Sequence, residues 1–142
     1  MPDKKASAVW NGDLKSGNGT VSLGSGTFEG SYTFASRFED GKGTNPEELI
    51  AAAHAGCYSM ALSNELHKAG HNSQNVSTKA VITLEPVDGA PTISIIKLVA
   101  EANVPGLSNE EFQKIAEATK EACPVSRALK AVTIHLDAKL VN

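Results

Sequence analysis

Two cysteines, Cys57 and Cys123, and four histidines, His54, His67, His71 and His135, are the side chains of this 142-residue chain that could carry nucleophilic, redox or metal chemistry. A thiolate can attack an electrophile, exchange with a disulfide or bind a metal ion, and its surroundings decide which. Metal binding is disfavoured by spacing, because these thiols and imidazoles match no zinc pattern. His67 and His71 stand four apart, but Gly70 between them reads as a helix end. Two cysteines also fall short of a disulfide scaffold. Each thiol is left with two readings: a small hydrophobe in the core, or a reacting group.

Composition narrows the setting. The chain is long enough for one domain with a real core, and its few aromatics and many alanines make that core small and aliphatic. A net charge of −3 argues against nucleic-acid and anionic-membrane partners. The longest charge-free run is shorter than the ~20 residues a membrane span needs. The start, "MPDKKASAVWNGD", lacks the apolar stretch of a signal peptide. The expected compartment is the cytoplasm, where thiols stay reduced unless they do redox work.

The elements that must position the cysteines follow from periodicity. Glycine-punctuated runs, "ASAVWNGDL", "GTVSLGSG" and "GTFEGSYTF", predict short strands joined by tight turns. "GSGTFEG" has one residue too many for a dinucleotide fingerprint, and no helix follows it. "ASRFEDGKG", which carries Arg37, reads as a polar loop.

A long helix is predicted next. Asn45 is its N-cap, Pro46 fits its first turn, Glu47 and Glu48 complement its dipole, Glu48 sits at the capping-box position, and Gly70 closes it. Its middle is apolar on all faces, so protein must surround it, and a subunit this small favours an oligomer. "VSTKAVITLEPV" and "PTISIIKLVAEANVP" alternate as two antiparallel strands joined around "DGAP". An amphipathic helix follows, with a capping box from Ser108 to Glu111 and Phe112, Ile115, Ala116 and Thr119 on one face. Pro124 then starts a short turn, "PVSRALK", and "AVTIHLDAKLV" alternates as a final strand. The class is α+β: antiparallel sheets, a long central apolar helix and a second amphipathic helix.

Local physics ranks the thiols. Cys57 reads equally well as core filler and as a reactive centre. Cys123 precedes Pro124 at a helix start, where backbone N–H groups stabilise a thiolate, so it ranks as the more reactive.

A resemblance reverses that order. "TNPEELIAAAHAGCYSMAL" together with "ACPVSRAL" resembles the OsmC/Ohr family of thiol-dependent peroxidases over nearly the whole chain. The segments "GNGTVSLGSG" and "SRFEDGKGTNPEE" are more similar to the OsmC branch, in which the functional arginine falls on Arg37 rather than nearer the N-terminus. The resemblance implies a single OsmC-like domain over residues 1–142, an intertwined two-fold homodimer, and reduction of organic hydroperoxides and hydrogen peroxide. It implies Cys57 as the peroxide-attacking cysteine, Cys123 as the resolving one, and Glu47, not Glu48, as the motif glutamate. No cofactor or metal is implied; the recycling partner suggested is an external dithiol of the lipoyl type. His54, one turn before Cys57, reads as a core histidine.

Thiol chemistry explains those types. An unperturbed thiol with a pKa of ~8.5 is only a few per cent thiolate at neutral pH, and burial makes this worse. A guanidinium offsets the cost and can bond both thiolate and peroxide oxygen. Glu47 repels a thiolate, so its sensible role is to fix Arg37. Two other classes stay open on sequence: a carrier of small apolar ligands whose cysteines line a cavity, and a structural dimer with inert thiols.

Overall fold

In a computed structural model, which describes residues 2–141, the glycine-punctuated start becomes β1 (Ala6–Asn11), β2 (Asn18–Leu23) and β3 (Glu29–Tyr32), an antiparallel sheet in the order β1-β2-β3. Gly12 and Gly24 end β1 and β2, and β3 ends at Thr33, where α1 begins. The chain divides into two compact units, Met1–Leu49 and Ile50–Asn142.

In the first unit, the segment read as a polar loop carries a helix. α1 (Phe34–Phe38) is closed at its start by a full capping box: Thr33 Oγ1 accepts from the Ser36 N–H, and Ser36 Oγ accepts from the Thr33 N–H. Arg37 therefore sits in the last turn of a helix, which corrects its placement in a loop. Gly43 permits the return from α1, since its φ is +117° and a Cβ there would lie 2.7 Å from the Ser31 carbonyl oxygen.

The long helix α2 (Pro46–Lys68) starts and stops where its caps predict. Asn45 Oδ1 accepts the Glu48 N–H at 2.7 Å, and Gly70 takes a positive φ of 90° just past the end. The Glu48 carboxylate, however, accepts from the Thr44 hydroxyl, so only half of the expected box forms.

In the second unit, β4 (Asn75–Val87) and β5 (Ala90–Asn103) form the expected hairpin. Asp88 and Gly89 both have positive φ, 51° and 80°, as a two-residue primed turn requires. β6 (Thr133–Leu140) pairs with β5 in parallel, so this sheet, ordered β4-β5-β6, is mixed; that corrects the expectation of antiparallel sheets throughout. The reason is the connection: α3 (Asn109–Ala122) and α4 (Pro124–Ala128) lie between the strands and carry the chain back to the same end of the sheet. Ser108 caps α3 by accepting the Glu111 N–H. The Glu111 carboxylate lies 3.6 Å from His71 Nε2.

The core of this unit explains how α2 is used. Ile96, Leu98, Ala100 and Ala102 alternate inward along β5 and meet Tyr58, Leu62 and Leu66 of α2 and Phe112 and Ala116 of α3. His54, Tyr58, Leu62 and Leu66, at intervals of four, form the buried stripe of α2. Ala52, Gly56, Met60 and Asn64, at the same interval, form an exposed one. From Ala52 to Met60 this exposed stripe carries no charge, and the described residues leave it uncovered.

Candidate active site

The candidate residues are held as two pairs, one in each unit. In the first, α1 and the start of α2 bring Arg37 against Glu47. Nε donates to Oε1 at 3.1 Å and Oε2 at 3.3 Å, and Nη2 donates to Oε1 at 2.8 Å. One edge of the guanidinium thus takes the carboxylate in the two-pronged geometry that arginine favours. Nη1 makes no hydrogen bond to it.

The surroundings fix this pair. Ser36 Oγ donates to the Thr44 carbonyl at 2.7 Å, and Asn45 Nδ2 donates to the Ser36 carbonyl at 2.9 Å. These bonds tie the end of α1 to the start of α2. Phe38 places its ring 5.2 Å from the guanidinium carbon. Glu47 is buried, whereas more than a third of the Arg37 side chain is exposed.

In the second unit, α2 and the junction of α3 with α4 bring the cysteines together. Both are free thiols, and Cys123 Sγ lies 3.0 Å from Cys57 Sγ. Cys123 is fully buried in the core; Cys57 is half-buried. Cys123 is at once the C-cap of α3 and the N-cap of α4.

Burial pushes the Cys57 thiol up from its ordinary value, and sharing the site with a second thiol adds to this; the Val125 N–H pulls the other way. Sequence reasoning missed that donor. Pro124 has no N–H, so Val125 carries the first free N–H of α4, and its influence lowers the Cys57 pKa. The signal was present in the Cys-Pro order.

A second missed contact lies beside the thiols. His54 Nε2 and Ser126 Oγ are 2.7 Å apart, both side chains are buried, and burial lowers the imidazole pKa. Among the described residues, no group of three or more His, Cys, Asp or Glu could hold a metal ion. Nor is any helix long and apolar enough to cross a membrane.

Two sheets, a long helix and two thiols within bonding reach define a class of small dithiol α+β proteins. The profile of the family described as "OsmC-like protein" matches residues 39–137. Peroxiredoxin OsmC of Escherichia coli K12 is 49% identical over 138 residues, 96% of each chain. An organic hydroperoxide resistance protein-like relative from Staphylococcus aureus is 30% identical over 106 residues, 72% of this chain and 74% of that one. The crystal structure of an OsmC-like protein from Mycoplasma pneumoniae shares the fold, with a TM-score of 0.75 at 20% identity and 99% coverage of both chains. The chain belongs to the OsmC-like family.

Proposed function

We propose that this chain is a thiol-dependent peroxidase that reduces organic hydroperoxides, and also hydrogen peroxide, without a cofactor. The observation that carries the reading is the dithiol: one sulfur half-buried and approachable, the other sealed in the core 3.0 Å away. Such a pair suits a nucleophile and its resolver. The names of the relatives, a peroxiredoxin and a hydroperoxide resistance protein, support the same chemistry.

In the proposed cycle the Cys57 thiolate attacks a peroxide oxygen. An S–O bond forms, the O–O bond breaks, and the alcohol leaves with a proton. The Cys123 thiol then attacks the sulfenic sulfur, forming the disulfide and expelling the oxygen as water. The sulfurs need close only from 3.0 Å to the ~2.05 Å of a disulfide. An external dithiol, of the lipoyl type in our reading, reopens it by exchange. Apolar surroundings favour substrates with hydrocarbon bodies, by roughly 0.8 kcal/mol per buried CH₂.

The Arg37–Glu47 pair completes the site from a second copy of the chain. Glu47 and Cys57 are ten residues apart on one helix, an axial separation of ~15 Å. A homodimer is supported by the exposed stripe of α2, where Met60 is 77% exposed and a Cβ on Gly56 would meet nothing. In this reading residues 1–142 form one OsmC-like domain, working in the cytoplasm, where reducing conditions keep resting thiols free.

The decisive experiment measures consumption of cumene hydroperoxide and hydrogen peroxide with lipoyl and thioredoxin recycling systems in parallel. Turnover, faster with cumene hydroperoxide, is expected; binding of the organic peroxide without consumption would leave a carrier instead.

A further inference from the structure

The proposed cycle leaves one buried pair beside the thiols unused, His54 and Ser126. His54 precedes Cys57 by three residues on α2, and Ser126 follows Cys123 by three in α4. Residues three apart on a helix are neighbours on its surface. The two helices are therefore joined by two adjacent rungs: the sulfur pair at 3.0 Å and the Nε2–Oγ hydrogen bond at 2.7 Å.

The imidazole is not placed as a base. Nδ1 is buried and has no hydrogen-bond partner, to sulfur or to oxygen. A bare lone pair is cheaper to bury than an orphaned N–H. The proton therefore belongs on Nε2, which donates to Ser126 Oγ. The basic nitrogen that remains is buried and bonds neither thiol.

The pair is suited to a different task. α4 is only five residues long, and no side chain caps it. So short a helix depends on tertiary contacts for its place. One link to α2 is the thiol pair itself. It changes when Cys57 gains an oxygen. The His54–Ser126 bond involves neither sulfur and can persist through that step.

We propose that His54 and Ser126 are positioning residues for disulfide closure. Their hydrogen bond keeps α4 docked on α2 while Cys57 is a sulfenic acid, so that Cys123 stays within reach. In the assisted step the Cys123 thiol attacks Cys57 sulfur; the S–S bond forms, the S–O bond breaks, and the Cys123 proton leaves with the hydroxyl as water. The proposal rests on the thiol-peroxidase reading, because closure from the sulfenic acid presupposes it. Its geometric content is wider: any oxidant that activates Cys57 should meet the same requirement.

The test uses the full-length protein with Ser126→Ala, His54→Ala and His54→Gln, the last keeping an N–H donor at a similar reach. Sulfenic acid and disulfide are followed by rapid quench and mass spectrometry after one equivalent of cumene hydroperoxide. Diamide, which closes a dithiol without peroxide, is run in parallel. Ser126→Ala and His54→Ala should slow disulfide closure about tenfold, the order expected for one buried hydrogen bond. They should also divert more Cys57 to sulfinic acid as peroxide is raised. The rate of sulfenic acid formation should stay near the parent value. His54→Gln should restore closure in part.

Parent-like closure in Ser126→Ala with both oxidants would overturn the proposal. So would equal slowing of sulfenic acid formation and closure together with a lowered Tm, which marks a general structural role. If the parent protein forms no sulfenic acid with peroxide, the peroxidase reading fails; the diamide rates then still decide whether the pair governs closure.

Discussion

The sulfur of Cys123 lies 3.0 Å from that of Cys57, with the first fully buried and the second half-buried. The asymmetry assigns different fates to the two thiols. In the proposed cycle peroxide meets Cys57, and Cys123, fully buried, then meets Cys57. Cys57→Ser should abolish turnover. Cys123→Ser should react once per site and stall as sulfenic acid or over-oxidise. Mass spectrometry after one equivalent of peroxide reads both outcomes, and parent-rate consumption by Cys57→Ser would reverse the assignment.

The Cys57 thiol is held up by burial and by its partner thiol, against the pull of the Val125 N–H. Its alkylation should therefore rise with pH through a raised midpoint unless a cation compensates. Arg37 is our candidate for that cation. Arg37→Ala should move the alkylation midpoint further up and slow reaction near neutral pH. Arg37→Lys should rescue only in part, since an ammonium lacks the planar fork that takes both carboxylate oxygens of Glu47 and leaves a further donor free on its other side. An unchanged alkylation profile for Arg37→Ala rules the role out.

Much of this arrangement was legible because local signals agreed with the fold. Asn45, Pro46 and Gly70 bracket α2, and the Asp88–Gly89 pair dictates its hairpin. The α1 helix was missed because its cap, Thr33 to Ser36, ends in serine instead of glutamate or glutamine, and the helix is only five residues long. The parallel pairing of β6 was missed because alternation reports which face a strand buries, not its direction. The thiols were visible as residue types; their 3.0 Å approach depends on contacts across 66 residues of chain. The free N–H at Val125 follows from Pro124, but its effect on Cys57, far away in the chain, does not.

His54 gives a stability prediction with a definite sign. Burial holds its pKa below the ordinary value of 6.5, so the folded chain keeps the imidazole neutral where the unfolded chain protonates it. Its contribution is complete above pH 6.5 and is lost as the pH falls through the unfolded value toward the folded one. Urea midpoints taken between pH 7.5 and 5.5 should decline for the parent. The decline should be shallower for His54→Gln. Identical slopes in the parent and His54→Gln would remove His54 as the cause.

The last prediction concerns where the Arg37–Glu47 pair acts. Glu47 is bound to Arg37 at 2.8 Å, so the two move together. On a helix, ten residues separate Glu47 from Cys57 by ~15 Å along the axis. Side chains on a helix tilt toward its N-terminus, which displaces both the same way and closes little of that gap. A glutamate cannot span it, and an arginine held by that glutamate stays near it. A clamp beside Cys57 must then come from a second chain whose helix runs antiparallel across a two-fold axis. Each site would join the cysteines of one subunit to the arginine and glutamate of the other, and an isologous dimer would carry two. Cys57→Ser and Arg37→Ala homodimers should both be inactive. After subunit exchange, each heterodimer should regain one working site, because one of its two sites combines an intact Cys57 with an intact Arg37. About half of the subunits pair as heterodimers at random mixing of equal amounts, so activity should return to about a quarter of the parent value per subunit, one site in two restored in half of the dimers. Native mass spectrometry establishes that heterodimers have formed. If they form and no activity returns, the shared site is wrong, and Arg37 and Glu47 must serve their own chain or serve only its fold.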